Sequence, residues 1–244
     1  MALRVGLDMD GVLADFRAAF ELVARSPEIT AAGGDPSRSR AEALSNSEVK
    51  QVWARIQNTP NWWTTVTAFE PAQILRLYQM ARKARWEVVF MTKRPMTTGE
   101  PVQFQTQHWL ERHGFHYPAV VTVPGSRGEL SNALKLDLIV DDQLYNCLDV
   151  VTGSHTKALL LQRDPDARSE SQATARGIGV VRTLEEALDA LQGFDGVQQE
   201  RKGRIQRLTD WFQPKPPDTL PFTADASRVR LDPDPDPDPD PDQG

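Results

Sequence analysis

Asp8 and Asp10 stand one residue apart in the stretch RVGLDMDGVLADF, at the end of an apolar run and directly before Gly11. Two carboxylates that close repel, so they share a counter-charge, face water separately, or do chemistry that needs both. Further along the chain, EVVFM is followed by Thr92 and Lys93, LDLIV by Asp141 and Asp142, and the loop leading to the latter run carries Arg127. If these runs are parallel strands covered by helices, their C-terminal ends share one edge, which is where such sheets bind ligands. A carboxylate cluster there is the hard oxygen environment that Mg2+ prefers, and the ion would relieve the repulsion among Asp8, Asp10 and Asp141. Mg2+ held by few carboxylates keeps positions for phosphate oxygens, while a hydroxyl and a cationic side chain hold the others. The set reads as phosphoryl transfer. A lone DxD at a strand end is often a turn with an N-cap, and a lone DD a solvated loop. It is their occurrence with Thr92 at the ends of three separate runs that points to a site.

The elements that must position these residues follow from periodicity. The runs at 3–7, 87–91, 119–123, 136–140 and 157–161 are short and rich in Val, Leu and Ile, as strands buried on both faces are. Ile74, Leu77, Tyr78 and Ala81 follow helical spacing behind Pro71, which suits a first turn. Another helix reaches Trp109 and Leu110 and stops at Gly114. A third, TLEEALDALQG, opens with Thr183 and Glu186 as a capping box and closes at Gly193. Strands alternating with helices predict an α/β protein with a doubly wound parallel sheet.

The gap between the first and second strands is too long for a simple crossover. It holds one helical pattern from Val12 to Ala24 and another in SNSEVKQVWARIQN, separated by the breaker-rich TAAGGDPSRS. The second has Ser45 and Glu48 as a capping box, with Val49, Val52, Trp53 and Ile56 on one face. The expected organisation is a core of residues 1–14 and 70–194, a helical cap of 15–69, an amphipathic helix over 195–212, and a Pro/Asp-rich tail over 213–244. Proline at every second position of DPDPDPDPDPD bars helix and central strand, so the tail is expected to be disordered rather than a Ca2+ site.

Composition narrows the partners. The net charge of -6 is carried by the six aspartates between Asp232 and Asp242, and the rest of the chain has 28 acids against 28 bases. No basic stripe marks a duplex-binding face, so no nucleic-acid duplex is expected as a partner. No apolar run is long enough for a spanning helix, and Asp8 and Asp10 interrupt the N-terminal run before a signal-peptide core can form, so the expectation is a cytoplasmic protein with no membrane partner. A homodimer is left open. Cys147 is the only cysteine and reads as a small buried hydrophobe on a helix, and the spacing of His108, His113 and His116 does not converge as a zinc site would.

In order and spacing, DMDGVLADF, VVFMTKRP and LDLIVDD resemble motifs one, two and four of the haloacid dehalogenase superfamily of phosphatases. The opening motif is most similar to that of the 5'(3')-deoxyribonucleotidases. The resemblance spans about residues 3 to 192 and implies a Rossmann-like core with a small helical cap inserted after the first strand. It implies Mg2+ as cofactor, Asp8 as the nucleophile that forms an aspartyl-phosphate, and Asp10 as the acid and base, with its backbone carbonyl on the metal. Thr92 would donate to the phosphoryl oxygens, Asp141 would bind the metal directly, and Asp142 would reach it through water. The basic third motif falls on Arg127 or on Lys135. Arg127 is preferred because Lys135 would lie at the far end of the intervening helix. Lys93 is a further candidate for substrate phosphate.

A cap closing over this site would set the substrate. Phe16, Phe20, Trp53, Trp62 and Trp63 offer aromatic surface, and while Phe20 and Trp53 read as the cap's own core, Phe16, Trp62 and Trp63 are the candidates for a nucleobase-stacking pocket. The expected activity is Mg2+-dependent hydrolysis of a small phosphate monoester, with a (deoxy)nucleoside monophosphate leading and a sugar phosphate as the rival. A non-catalytic binding module that uses the C-terminal helix and acidic tail is the alternative from another class.

Overall fold

The computed structural model describes residues 2–26, 44–123 and 125–212, with the backbone alone for 198, 199 and 201–212. Six strands form one all-parallel sheet: β1 (Arg4–Asp8), β2 (Glu87–Thr92), β3 (Ala119–Thr122), β4 (Leu138–Asp141), β5 (Lys157–Leu161) and β6 (Gly179–Val181). Their order is β3-β2-β1-β4-β5-β6, so β1 sits between β2 and β4 and the chain reverses direction across the sheet at that point. Such a switch point opens a crevice beyond the strand ends, and Asp8, Thr92 and Asp141 are the last residues of β1, β2 and β4.

Residue alternation explains why both faces are covered. In β4, Leu138 and Val140 join one apolar cluster and Ile139 joins the other. The first cluster packs Leu7, Phe90 and Val140 against α3 (Pro71–Ala84), α4 (Val102–Arg112) and the start of α8 (Leu184–Phe212). The second packs Met91, Ile139 and Leu160 against α6 (Leu144–Gly153) and α7 (Ala167–Ala175). Cys147 belongs to this second cluster as a buried helical residue, as its composition context suggests, and burial pushes its thiol up. The central strands β1 and β4 are short, with all but one of their residues buried, as a sheet walled by helices on two sides selects.

The expected strands are all present, and β6 is an addition. Its three residues lie in GIGVV, short and glycine-bearing, which reads as a loop until pairing with β5 is seen. In the inserted segment, α1 (Phe16–Ala24) starts at its Asp15 N-cap rather than at Val12. The reason is local: the amides of Leu13 and Ala14 both donate to Met9 O, at 3.0 and 2.8 Å, closing a tight turn that Gly11 permits with φ +97°. α2 (Asn46–Asn58) has the Ser45/Glu48 capping box in full, and α3 begins on Pro71. A single 3-10 turn (Trp62–Thr64) follows α2.

α8 does not close at Gly193. It runs on to Phe212, since an interior glycine costs a helix only about 1 kcal/mol and no proline interrupts the segment. Thr183 accepts from Glu186 N–H at 3.1 Å, as a cap should, while the Glu186 carboxylate takes the amide of Arg182 instead of that of Thr183. The chain divides into a unit of residues 1–198 and another of 199–244, of which the backbone to Phe212 is described. The breaker-rich TAAGGDPSRS and the Asp-Pro tail lie outside the described residues. No helix among the described residues is long and apolar enough to cross a membrane.

Candidate active site

The site is assembled from the ends of β1, β2 and β4 and from the start of α5 (Arg127–Ala133). Asp8 is 7% exposed and accepts a hydrogen bond from Arg127 Nη2. Arg127 is itself buried, its Nε lies 3.6 Å from Asp141 Oδ2, and neither Nε nor Nη1 has a hydrogen-bond partner among the described residues. A buried guanidinium with unmet donors is costly unless a ligand supplies acceptors. Its position is fixed from behind. Asp149 of α6 accepts from Ser126 Oγ at 2.8 Å and from Gly128 N–H at 2.9 Å, clamping the first turn of α5. Gly128 allows this approach, since a Cβ there would stand 2.6 Å from the Asp149 carbonyl oxygen.

Asp141 is fully buried and accepts from Asn146 Nδ2 at 2.9 and 3.1 Å and from Gln143 N–H at 2.9 Å. Burial pushes its carboxyl up, and these hydrogen bonds with Arg127 only partly oppose that. Burial and then the charge of Asp141 push Asp8 well above the usual carboxylate range, with Arg127 offsetting part. The same two causes push Asp142 up to about 7. Asp142 packs directly over Gly11, where no side chain would fit. Three carboxyls are thus short of positive charge in one place, the donor chemistry that suits a hard divalent cation. Arg127 engages one oxygen of Asp8, Gln143 one of Asp142 and Asn146 both of Asp141, and among the described residues no group of three or more His, Cys, Asp or Glu side chains stands as a ready metal site.

Asp10 faces Arg94, a residue that sequence reasoning missed. Arg94 Nε lies 2.9 and 3.1 Å from the two Asp10 carboxylate oxygens and Nη2 lies 2.8 Å from Oδ1, a forked pair made by a wholly buried guanidinium. Its Nη1 donates to Thr106 Oγ1 at 3.1 Å, and its Cζ stands 4.8 Å from the Trp63 ring centroid. Thr92 is buried between them, accepting from Arg94 N–H at 3.2 Å and lying 3.5 Å from Asp10 Oδ2. Its place two residues past the strand end that supplies Thr92 is the one signal for it, and that place alone does not show a buried fork. Asn146 was also missed, hidden as one polar residue in an otherwise ordinary helical turn.

Lys93 is exposed on the same edge, with Nζ 5.9 Å from the Tyr145 ring centroid, and its charge helps to hold Asp141 down. Lys135 is not brought to the site. It follows α5, exposed and in the left-handed region at φ 51°, where the chain turns back into the start of β4. Because α5 runs from one sheet edge to the other, only its first residue can reach Asp8.

The three rings expected to form a pocket pack on one another. Trp62 is 5% and Trp63 1% exposed, their ring centroids are 4.8 Å apart, and Phe16 packs on both at 6.2 and 5.8 Å and on Trp53 at 5.6 Å. The faces expected to stack on a base are used in packing on one another, and Trp63 Nε1 is satisfied by Pro95 O at 2.9 Å.

No model of a known protein family matches the sequence, and no curated protein does. Solved structures do match. The chain is similar to a haloacid dehalogenase-like hydrolase from Streptococcus pneumoniae, at 12% identity and a TM-score of 0.52 over 78% of this chain and 98% of that one. It is similar to a phosphonoacetaldehyde hydrolase-like protein from Oleispira antarctica, at 10% identity and a TM-score of 0.50 over 80% and 92%. The architecture is the haloacid dehalogenase-like Rossmannoid fold.

Proposed function

We propose that this chain is a Mg2+-dependent phosphomonoesterase that works through an aspartyl-phosphate on Asp8. The observation that carries the reading is the meeting of Asp8, Asp141 and Arg127 at the C-terminal ends of two adjacent strands, with Thr92 ending a third. Asp8, Asp141, Asp142 and the Asp10 carbonyl would hold the metal, which when bound would offset carboxylate repulsion and polarise the phosphoryl group. The unmet donors of Arg127 and the hydroxyl of Thr92 receive the phosphoryl oxygens, and Lys93 attracts the anion at the rim. Asp8 Oδ attacks phosphorus as the ester oxygen leaves. Asp10, released from its fork with Arg94 and in its protonated form, gives its proton to that oxygen and then regains one from the water that hydrolyses the intermediate. The inserted segment 15–69 serves as the cap.

The nucleoside monophosphate reading rests on the likeness of DMDGVLADF to the deoxyribonucleotidases. A second reading, a small non-aromatic phosphate ester, is favoured by the burial of Trp62 and Trp63 in their own cluster. Phosphate release from nucleoside 5'- and 3'-monophosphates and sugar phosphates, with and without Mg2+ and beside Asp8→Asn, tests both. Mg2+-dependent release lost in Asp8→Asn is the expected result, and the preferred ester decides between the substrates. No release from any ester would overturn the reading in favour of a binding module.

A further inference from the structure

Arg163 follows β5 and makes four contacts around the turn after Asp10. Nη2 donates to Val12 O at 2.8 Å and Nε to Gly11 O at 3.3 Å, Nη1 meets Glu70 Oε1 at 2.7 Å, and Cζ stands 3.8 Å from the Phe69 ring centroid. These partners belong to the two connections of the inserted segment. The connections pair with each other, since Asp15 N–H donates to Thr67 O at 2.8 Å, Phe69 N–H to Leu13 O at 3.0 Å, and Ala14 bridges Ala68 antiparallel. Glu70 also accepts from Leu184 N–H at 3.0 Å and Glu185 N–H at 3.3 Å, anchoring the clamp to the start of α8.

We infer that Arg163 is a positioning residue for Asp10: its bonds to the Gly11 and Val12 carbonyls hold the catalytic turn in register with both connections of the cap. The inference rests on Asp10 being the acid and base of the reaction proposed above. Carbonyl groups cannot be redirected without moving the peptide, so the two bonds fix the backbone that follows Asp10 directly. Glu70 plays a different part. It secures the arginine and caps α8, but touches neither carbonyl.

That division supplies the test. In the full-length chain, Arg163→Met removes the carbonyl bonds and the ion pair, whereas Glu70→Gln weakens the ion pair and leaves the carbonyl bonds. Misplacement of a reacting group by about 1 Å costs up to roughly a hundredfold in rate, so Arg163→Met is expected to lower kcat by about 10- to 100-fold with KM within about threefold. Glu70→Gln is expected to keep kcat within about threefold while losing comparable thermal stability. Amide hydrogen exchange gives a readout independent of turnover: Leu13, Ala14, Asp15 and Phe69 should exchange faster in Arg163→Met than in Glu70→Gln. Equal kcat losses in the two variants, or exchange unchanged by Arg163→Met, would overturn the inference. If the wild type releases no phosphate, the phosphatase reading fails and exchange alone decides whether the clamp exists.

Discussion

Arg127 reaches Asp8 with one nitrogen, stands 3.6 Å from Asp141 with a second, and leaves Nε and Nη1 without hydrogen-bond partners among the described residues while only 2% exposed. The guanidinium therefore has spare donors aimed where charge is already concentrated. A lysine offers a point charge in place of a planar fork and cannot replace this arrangement. Arg127→Lys is expected to lower kcat/KM on the order of a hundredfold, the usual cost of one oxyanion donor, and to weaken competitive inhibition by inorganic phosphate. Lys135→Ala, at the opposite sheet edge, should stay within about threefold of wild type in the same assay. Equal losses in the two variants would remove Arg127 from the site.

Trp63 ties the inserted segment to the sheet: it is packed by Phe16 and Trp62, covered by Arg94, and its backbone N–H donates to Gln105 Oε1 at 3.1 Å. Its removal should act on stability. Trp63→Ala is expected to cost about 3 to 5 kcal/mol in chemical denaturation, as truncation of a buried aromatic does. Any loss of turnover should fall alike on nucleotide and sugar-phosphate substrates. A variant of normal stability that lost nucleotide hydrolysis alone would restore the ring to a stacking pocket.

Much of this was legible from the chain. Asp8, Thr92 and Asp141 could be placed because each ends an apolar run, and an α/β pattern puts such ends on one edge. Arg94 was not legible, because its role depends on a buried fork to a residue 84 positions away, and an arginine after a strand ordinarily reads as solvated. The packing of the tryptophans was not legible for a related reason. Composition shows that aromatic surface exists, but whether rings face a ligand or one another is decided by tertiary packing. Arg163 and Glu70 have no sequence pattern in common, since their link joins two connections brought together by the sheet order alone.

Gly11 and Gly128 test close approach at the site. At Gly11 a side chain would collide with the Asp142 carboxylate and would have to adopt a positive φ, so Gly11→Ala is expected to lower stability by about 1 to 2 kcal/mol from the backbone alone. It should also displace Asp142 and weaken Mg2+ binding in calorimetric titration. At Gly128 the added Cβ would meet a helix backbone, which cannot swing aside, and Gly128→Ala should cost about 1 to 3 kcal/mol. Either variant with wild-type melting would contradict the spacing described.

The Asp149 clamp on α5 predicts a dependence of stability on pH. Slight burial pushes this carboxyl up, but the hydrogen bonds from Gly128 N–H and Ser126 Oγ outweigh it and leave the group below its ordinary value. A carboxylate depressed in the folded state binds protons more weakly there than in the unfolded chain, so its contribution is present above the unfolded value of about 3.9 and fades as pH falls through the folded value. Asp149→Asn should therefore melt below wild type near pH 7, and the gap should narrow as pH falls below the unfolded value of about 3.9. Because Gly128 follows Arg127, the same variant should weaken phosphate inhibition at neutral pH. A melting difference that stays constant from about pH 7 to pH 3 would show that Asp149 acts through its shape and not its charge.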